Sequence, residues 1–334
     1  MKKLLSLLLT LIFILGISAC ASDNPVPEIT ESDLVTPAVE TRILALKGPT
    51  GIGMAKMMED ESADINSAYT FTVAAQPTEA VAAVSGAKVD IAAVPTNLAS
   101  TLYKKTEKGI KIIAINTLGS LYILEKGDTI KSFADLRGKT LYATGQGANP
   151  EYVLSYLLEK NGLKVGTDVK VEFKTEHAEL ASLMAAGECV LGMLPEPNVS
   201  SAMAQNPELR IALNLNEEWN KVSGEDSRLT MGCVVVRNEF LEKHPEEVAT
   251  FITKLEASIK YANEKAVDTG LLCEKYGIVP KAALAAKAIP NCNLTVIKGA
   301  DMKKTIEGYF GVLHTANPAS IGGAVPDEGF YYIP

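Results

Sequence analysis

The sequence predicts an α/β protein of two lobes around a cleft, each lobe a mostly parallel sheet flanked by helices. Three observations carry this. From Thr41 onward, short runs of strand composition alternate with helical segments, the pattern of a sheet covered by helices on both faces. Runs such as IKIIAIN (110–116) are continuously apolar, as a strand buried on both sides must be. Finally, AAVSGAKVDIAAVPTN (82–97) and LMAAGECVLGMLPEPN (183–198) share one order: helix end, glycine, strand, proline turn, asparagine. That echo fits the same local topology in each half of the chain.

The first lobe is expected over 41–120. RILALK (42–47) is a strand, followed by the bend GPTGIG (48–53) and a helix in which Met54, Met57 and Met58 anchor the lobe's core. Thr50 is placed to cap that helix, and Gly51 and Gly53 leave its start bare enough for a small solute to reach. YTFTVAA (69–75) is rich in β-branched and aromatic residues and reads as a strand. Gln76-Pro77-Thr78 opens the next helix, which ends at Gly86. VDIAAV (89–94) is a strand, and Pro95-Thr96-Asn97 turns into a helix through Thr106.

The second lobe is expected over 121–230. It takes LYILEKG (121–127) as a strand, SFADLRG (132–138) as a short helix and KTLYAT (139–144) as a strand. In the bend Gly145-Gln146-Gly147-Ala148-Asn149, Asn149 is a suitable N-cap, with Pro150 and Glu151 in the first turn. Val153, Leu154, Leu157 and Leu158 form the apolar stripe of that helix, and Gly162 ends it. DVKVEFK (168–174), CVLGML (189–194) and LRIALNL (209–215) are strands. His177 is expected in the exposed capping region of the intervening helix. LTMGCVVVR (229–237) carries the chain back, and 231–334 returns to the first lobe with mostly helical segments.

Composition excludes several functions. The chain has 334 residues, 47% hydrophobic and 22% charged, which suits a folded protein of two domains or one large one. Aromatics are 6%, net charge is −8 and no basic run exceeds two residues, so no nucleic-acid partner is expected. The opening MKKLLSLLLTLIFILGISAC has a positive start and an apolar stretch too short to span a bilayer comfortably. Its close, Ile17-Ser18-Ala19-Cys20, resembles the bacterial lipobox. Residues 1–19 are therefore expected to be a signal peptide, Cys20 to carry a diacylglycerol and palmitate-type anchor, and 20–40 to be a flexible tether. The protein would work at the outer face of a cell membrane. No C-x-x-C occurs and His177, His244 and His314 are scattered, so no metal site or cofactor is expected. Cys189 and Cys233 lie in apolar runs and read as buried thiols. Cys273 and Cys292 share one segment and either pair in an oxidising compartment or stay free.

Ligands of open α/β sheets gather beyond the carboxyl ends of strands. Those positions hold Gly48-Pro49-Thr50-Gly51, Gln76, Pro95-Thr96-Asn97, Thr117-Leu118-Gly119-Ser120, Gly145-Gln146-Gly147 and Glu196. The set is hydroxyls, amides and glycines with one acid. No serine-hydrolase motif, P-loop or dinucleotide fingerprint is present. Reversible binding fits better than catalysis. Each residue also has a plainer use: the glycines as bend formers, Gln76 as a cap, Glu196 as a solvated turn residue. Trp219, the only tryptophan, either walls the cleft or packs a loop.

The order of these features resembles the solute-binding proteins of ABC importers, in the branch for nitrate, sulfonates, taurine and thiamine pyrimidine precursors. The residues that carry it are the lipobox, the segment QPTEAVAAVSGAKVDIAAVPTN, the stretch Phe133-Ala134-Asp135-Leu136-Arg137-Gly138-Lys139 and YATGQGANP. The resemblance covers about 41–320. The aromatic that many sulfonate and nitrate members place in the first bend is replaced here by Gly48-Pro49-Thr50. It implies a type II periplasmic-binding-protein fold with a hinge of two crossover segments. It implies a monomer that is not an enzyme, closes on a small polar or anionic solute and delivers it to a permease with ATPase subunits. Ligand contacts would come from Pro49, Thr50, Gly51, Gln76, Thr96, Asn97, Thr117, Leu118, Gly119, Gln146, Gly147, Glu196 and Trp219. The rival readings are an enzyme on the same fold, such as a menaquinone-pathway dehydratase or pyrimidine synthase, and a lipoprotein sensor.

Overall fold

Strand after strand from residue 41 falls within two residues of where composition places it. The computed structural model describes residues 39–224 and 227–334. The signal segment, Cys20 and the tether up to residue 38 lie outside the described residues.

The first sheet is built from β1 (Thr41–Leu46), β2 (Tyr69–Ala74), β3 (Ile91–Pro95), β4 (Ile110–Leu118), β10 (Thr230–Arg237) and β11 (Leu294–Ile297), in the order β11-β4-β10-β3-β1-β2. The second holds β5 (Leu121–Lys126), β6 (Thr140–Thr144), β7 (Lys170–Lys174), β8 (Leu191–Pro195) and β9 (Leu209–Asn214), in the order β7-β6-β8-β5-β9. This is the two-lobed α/β architecture expected. Both sheets are mixed, however, not mostly parallel. β1 pairs in parallel with β2 and β3, but β10 runs antiparallel to β3 and β4. β6 pairs in parallel with β7 and β8, but β5 runs antiparallel to β8 and β9. The cause is the connectivity: β5 enters the second sheet straight from β4 of the first, β10 returns to the first after a helix (Leu215–Val222), and each slots between two strands of its sheet that run the other way. β11 escaped the sequence reading, because four residues paired irregularly with β4 leave little periodicity.

Both faces of the first sheet are covered. Along β1, Leu44 and Leu46 join one buried cluster, while Ile43 and Ala45 join another. The alternation is the two-residue period of a strand. Met54, Met57 and Met58 are all buried in the second of these clusters, so they are core residues as expected.

Two of the stretches that carry the family resemblance hold structural devices. Asp90 is buried and its carboxylate takes Arg42 Nε at 2.8 Å, Arg42 Nη2 at 2.7 Å and the Arg42 backbone N–H at 3.0 Å, tying the approach to β3 to β1. Asp135 accepts from the backbone N–H groups of Lys131 and Ser132, each at 2.9 Å, and so starts a single 3-10 turn (Phe133–Leu136) whose Phe133 and Leu136 are buried.

The bend after β1 departs from expectation. Pro49, whose fixed φ suits a first helical position, starts a one-turn helix α1 (Pro49–Ile52) two residues after the strand. Thr50 is therefore inside α1 and caps nothing. The methionines ride on a separate helix, α2 (Ala55–Ala63), and on Met54 before it. Gly51 and Gly53 do not bare the helix to solvent. A Cβ on Gly51 would lie 2.1 Å from the Leu46 carbonyl oxygen, and one on Gly53 would lie 2.7 Å from Ile259 Cγ1. These glycines are demanded by packing. Gly48, at φ +89, is the one that turns the chain.

Candidate functional site

A cavity of about 510 Å3 lies where the carboxyl ends of strands from both sheets meet. The first lobe supplies Lys47, Gly48, Pro49 and Thr50 after β1, Pro77 at the start of α3 (Pro77–Ser85), Pro95, Asn97 and Leu98 at the start of α4 (Thr96–Lys105), and Thr117 at the end of β4. The second lobe supplies Gly145 to Pro150 apart from Gln146, at the start of α5 (Asn149–Lys160), and His177, the first residue of α6 (His177–Ala186). Pro195, Glu196, Pro197 and Asn198 come from the turn into α7 (Asn198–Gln205). Met231, Ile278 and Pro280 complete the wall from the returning chain.

Of the residues expected to meet a ligand, Pro49, Thr50, Asn97, Thr117, Gly147 and Glu196 line this cavity. The others are placed elsewhere. Gly51 is buried against β1. Gln76 is exposed, and its backbone N–H donates to Glu79 Oε1 at 3.1 Å in the cap of α3. Thr96 is fully buried beneath the turn rather than facing the cavity. Gly119 sits in the crossover, where a Cβ would meet Asn216 and Leu229 at 2.8 Å, and the adjoining Leu118 is likewise outside the cavity wall. Gln146 is exposed at the tip of its bend, outside the wall. Trp219 is fully buried, its Nε1–H donating to Ser227 Oγ at 3.2 Å and its ring 4.7 Å from Tyr156 and 5.6 Å from Tyr309. It packs a core and walls no cleft.

Two wall residues were misread from the sequence. Asn149 does not cap α5; Ala148 holds that position. The Asn149 side chain is occupied, accepting from the Tyr309 hydroxyl and donating to Met231 Sδ at 3.2 Å. His177 is half-buried, with Nδ1 hydrogen-bonded to Thr144 Oγ1 at 2.6 Å. Burial lowers its pKa, so the imidazole is neutral at pH 7. The strand-end rule that found the other positions points to His177 as well, since α6 follows β7 directly. Nothing in the local sequence marks Ile278 and Pro280, which reach the cavity only through the return of the chain.

Glu196 is the acid of this wall, and it is buried. Its Oε1 accepts from Ser200 Oγ at 3.0 Å and from Asn291 Nδ2 at 3.1 Å, and its Oε2 from the Ser200 backbone N–H at 3.1 Å. Burial pushes the carboxyl above its ordinary pKa even though these three donors favour the charged form. Asn291 belongs to the C-terminal part of the chain, whose carbonyl also accepts from the Tyr122 hydroxyl of β5 at 2.7 Å. Glu196 thus stands at the joint between the lobes.

The described cysteines are all buried and free, so Cys273 and Cys292 are not paired. Among the described residues no group of His, Cys, Asp or Glu is arranged to hold a metal ion, and no helix is long and apolar enough to cross a membrane.

Residues 53–274 match the family described as "ABC transporter, phosphonate, periplasmic substrate-binding protein". Among solved structures, an ABC transporter protein from Parabacteroides distasonis is 25% identical with a TM-score of 0.74, over 89% of this chain and 99% of that one. The periplasmic aliphatic sulphonate binding protein SsuA of Escherichia coli is 18% identical with a TM-score of 0.68, over 89% and 93%. The periplasmic nitrate-binding protein NrtA of Synechocystis PCC 6803 is 12% identical with a TM-score of 0.52, over 79% and 74%. At the identities of the last two, the likeness is one of fold. No protein of curated function matches the chain.

Proposed function

Since the chain belongs to the ABC-transporter family of phosphonate periplasmic substrate-binding proteins, we propose that it is the lipid-anchored receptor of an importer. Cys20 holds it at the extracytoplasmic membrane face, and a small polar organic solute enters the cleft and passes to a permease driven by ATPase subunits. The observation that carries this reading is the cavity of about 510 Å3, walled by strand ends of both lobes, a size suited to a metabolite. The chemistry of its wall supports reversible capture: the hydroxyls of Thr50 and Thr117, the amides of Asn97 and Asn198, and the carboxyl of Glu196. Closure of the lobes would be a population shift set by how much better the solute binds the closed state. The N-terminal lipobox and tether support the anchor.

The test is a thermal-shift screen of the full chain in mild detergent against sulfonates, nitrate, phosphonates, pyrimidines, amines and vitamin precursors. A true ligand at 100 times its Kd stabilises by about 2.7 kcal/mol. Thr50→Val should reduce that shift while leaving the ligand-free melting temperature within a few degrees; Asn97→Ala should reduce it too, but also lower the ligand-free melting temperature, because Asn97 Nδ2 donates to the buried Ser320 carbonyl at 3.2 Å. A broad panel without any shift would overturn the receptor reading. Mass spectrometry of globomycin-treated and untreated cells tests the anchor: the untreated chain should carry acyl mass on Cys20.

A further inference from the structure

An anion receptor needs free N–H groups at helix starts or paired cationic side chains. This cleft has no paired cations, and half of the six helix starts at its wall are already taken. Three helix starts that reach it already hold a carboxylate from this chain. Glu79 takes the Gln76 N–H at 3.1 Å ahead of α3, Glu151 takes the Gly147 N–H at 2.5 Å ahead of α5, and Glu196 takes the Ser200 N–H at 3.1 Å within α7. Prolines occupy the entry to the same helices, and a proline offers no N–H. Seven prolines line the cavity in all, which leaves its wall mostly apolar. No arginine lines it, and the lysine present, Lys47, is exposed. Against these stands one buried carboxyl. A carboxylate has room for about four donors. Glu196 receives two on Oε1 and one on Oε2, which leaves acceptor capacity on Oε2.

We propose that the cleft takes a small organic base, an apolar or flat body with a cationic or N–H-donating head such as an amine, amidine or amino-heterocycle, and that Glu196 receives this head. The inference rests on the receptor reading above and sets the charge of its solute opposite to that of a phosphonate, sulfonate or nitrate. An oxyanion at the start of α3, α5 or α7 would have to displace an internal carboxylate from its N–H partner, and one near Glu196 would sit beside a carboxyl. A donor head meets an acceptor that is already oriented by Ser200 and Asn291.

The test uses two probes that share a ring and differ in the head: benzamidine and phenylphosphonate. Each is titrated calorimetrically into the full chain in mild detergent. Benzamidine is expected to bind at least about tenfold more tightly than phenylphosphonate, and Glu196→Gln to weaken benzamidine by about tenfold or more, the scale of one charge-assisted hydrogen bond. Should Glu196→Gln fail to fold, judged by its own melting transition, the ratio for the native chain decides alone. Phenylphosphonate binding as tightly as benzamidine, or more so, overturns the inference and leaves the receptor reading standing. Benzamidine affinity unchanged in folded Glu196→Gln overturns the role of Glu196. If neither probe binds, the inference falls, and the receptor reading is judged by the metabolite screen.

Discussion

Gly51→Ala separates a packing glycine from a ligand-facing one. The new Cβ would stand 2.1 Å from the Leu46 carbonyl oxygen and 3.1 Å from its carbon. Carbon and oxygen in contact keep about 3.2–3.5 Å, so the overlap exceeds 1 Å. The atom it meets is backbone at the end of β1, which is held between β2 and β3 and cannot swing aside. The one-turn helix α1 would have to lift from the sheet, dragging Ile52 and Met54 from the core. Overpacking of this kind costs about 1–3 kcal/mol, and with no flexible neighbour to yield the upper end applies. At about 2 °C per kcal/mol for a chain of this size, the melting temperature should fall by about 6 °C. Urea denaturation should show a lower midpoint at unchanged slope. Gly53→Ala, which meets only side-chain carbons of Ile259, the nearer at 2.7 Å, should cost less. A Gly51→Ala protein as stable as the parent but deficient in solute binding would refute the packing argument and return Gly51 to the cleft.

Asp90→Asn should cost about 3 kcal/mol, the low end for a broken buried pair because Arg42 is partly in water. Burial raises the Asp90 carboxyl, but hydrogen bonds from Arg42 and the charge of Arg237 bring it below its ordinary value. A depressed folded pKa gives stability that is full above the unfolded aspartate value of about 3.9 and fades as pH falls below it. The penalty measured in urea should therefore shrink between pH 7 and pH 3. Trp219→Ala should destabilise by about 3–5 kcal/mol. In the native chain its emission should be blue-shifted and keep its maximum when benzamidine is added; a red-shifted, ligand-sensitive maximum would return Trp219 to the cleft. Asn149→Ala leaves the buried Tyr309 hydroxyl without its acceptor and should cost about 1–3 kcal/mol, read as a lower urea midpoint.

The lobes were legible because strands buried on both faces write themselves as apolar runs, and because glycine and proline mark where each run stops. The strand-end rule located the cleft for the same reason: Thr50, Asn97, Thr117 and Glu196 follow directly from where β1, β3, β4 and β8 end. It failed where one residue of phase matters. Asn97 faces the cavity while its neighbour Thr96 is buried, and Gly147 does while Gln146 does not. Sequence spacing cannot resolve that inside an irregular turn. Trp219 was misplaced because a lone aromatic on a short helix carries no sign of which layer it enters. Ile278 and Pro280 come from distant chain, so only tertiary contact brings them in.

The four buried thiols have a consequence for how the chain matures. Members of this family act outside the cytoplasm, where oxidants close disulfides, yet Cys189, Cys233, Cys273 and Cys292 are all reduced in the native fold. Burial raises the thiol of Cys273 to about 12 and that of Cys292 well above its ordinary value, so the folded protein offers no thiolate to attack. The unfolded chain has no such shelter, and four thiols allow three complete pairings, none of them native. Folding is thus a race against oxidation. The order in which the core around Cys233, Cys273 and Cys292 closes decides how much of the exported chain reaches its working form.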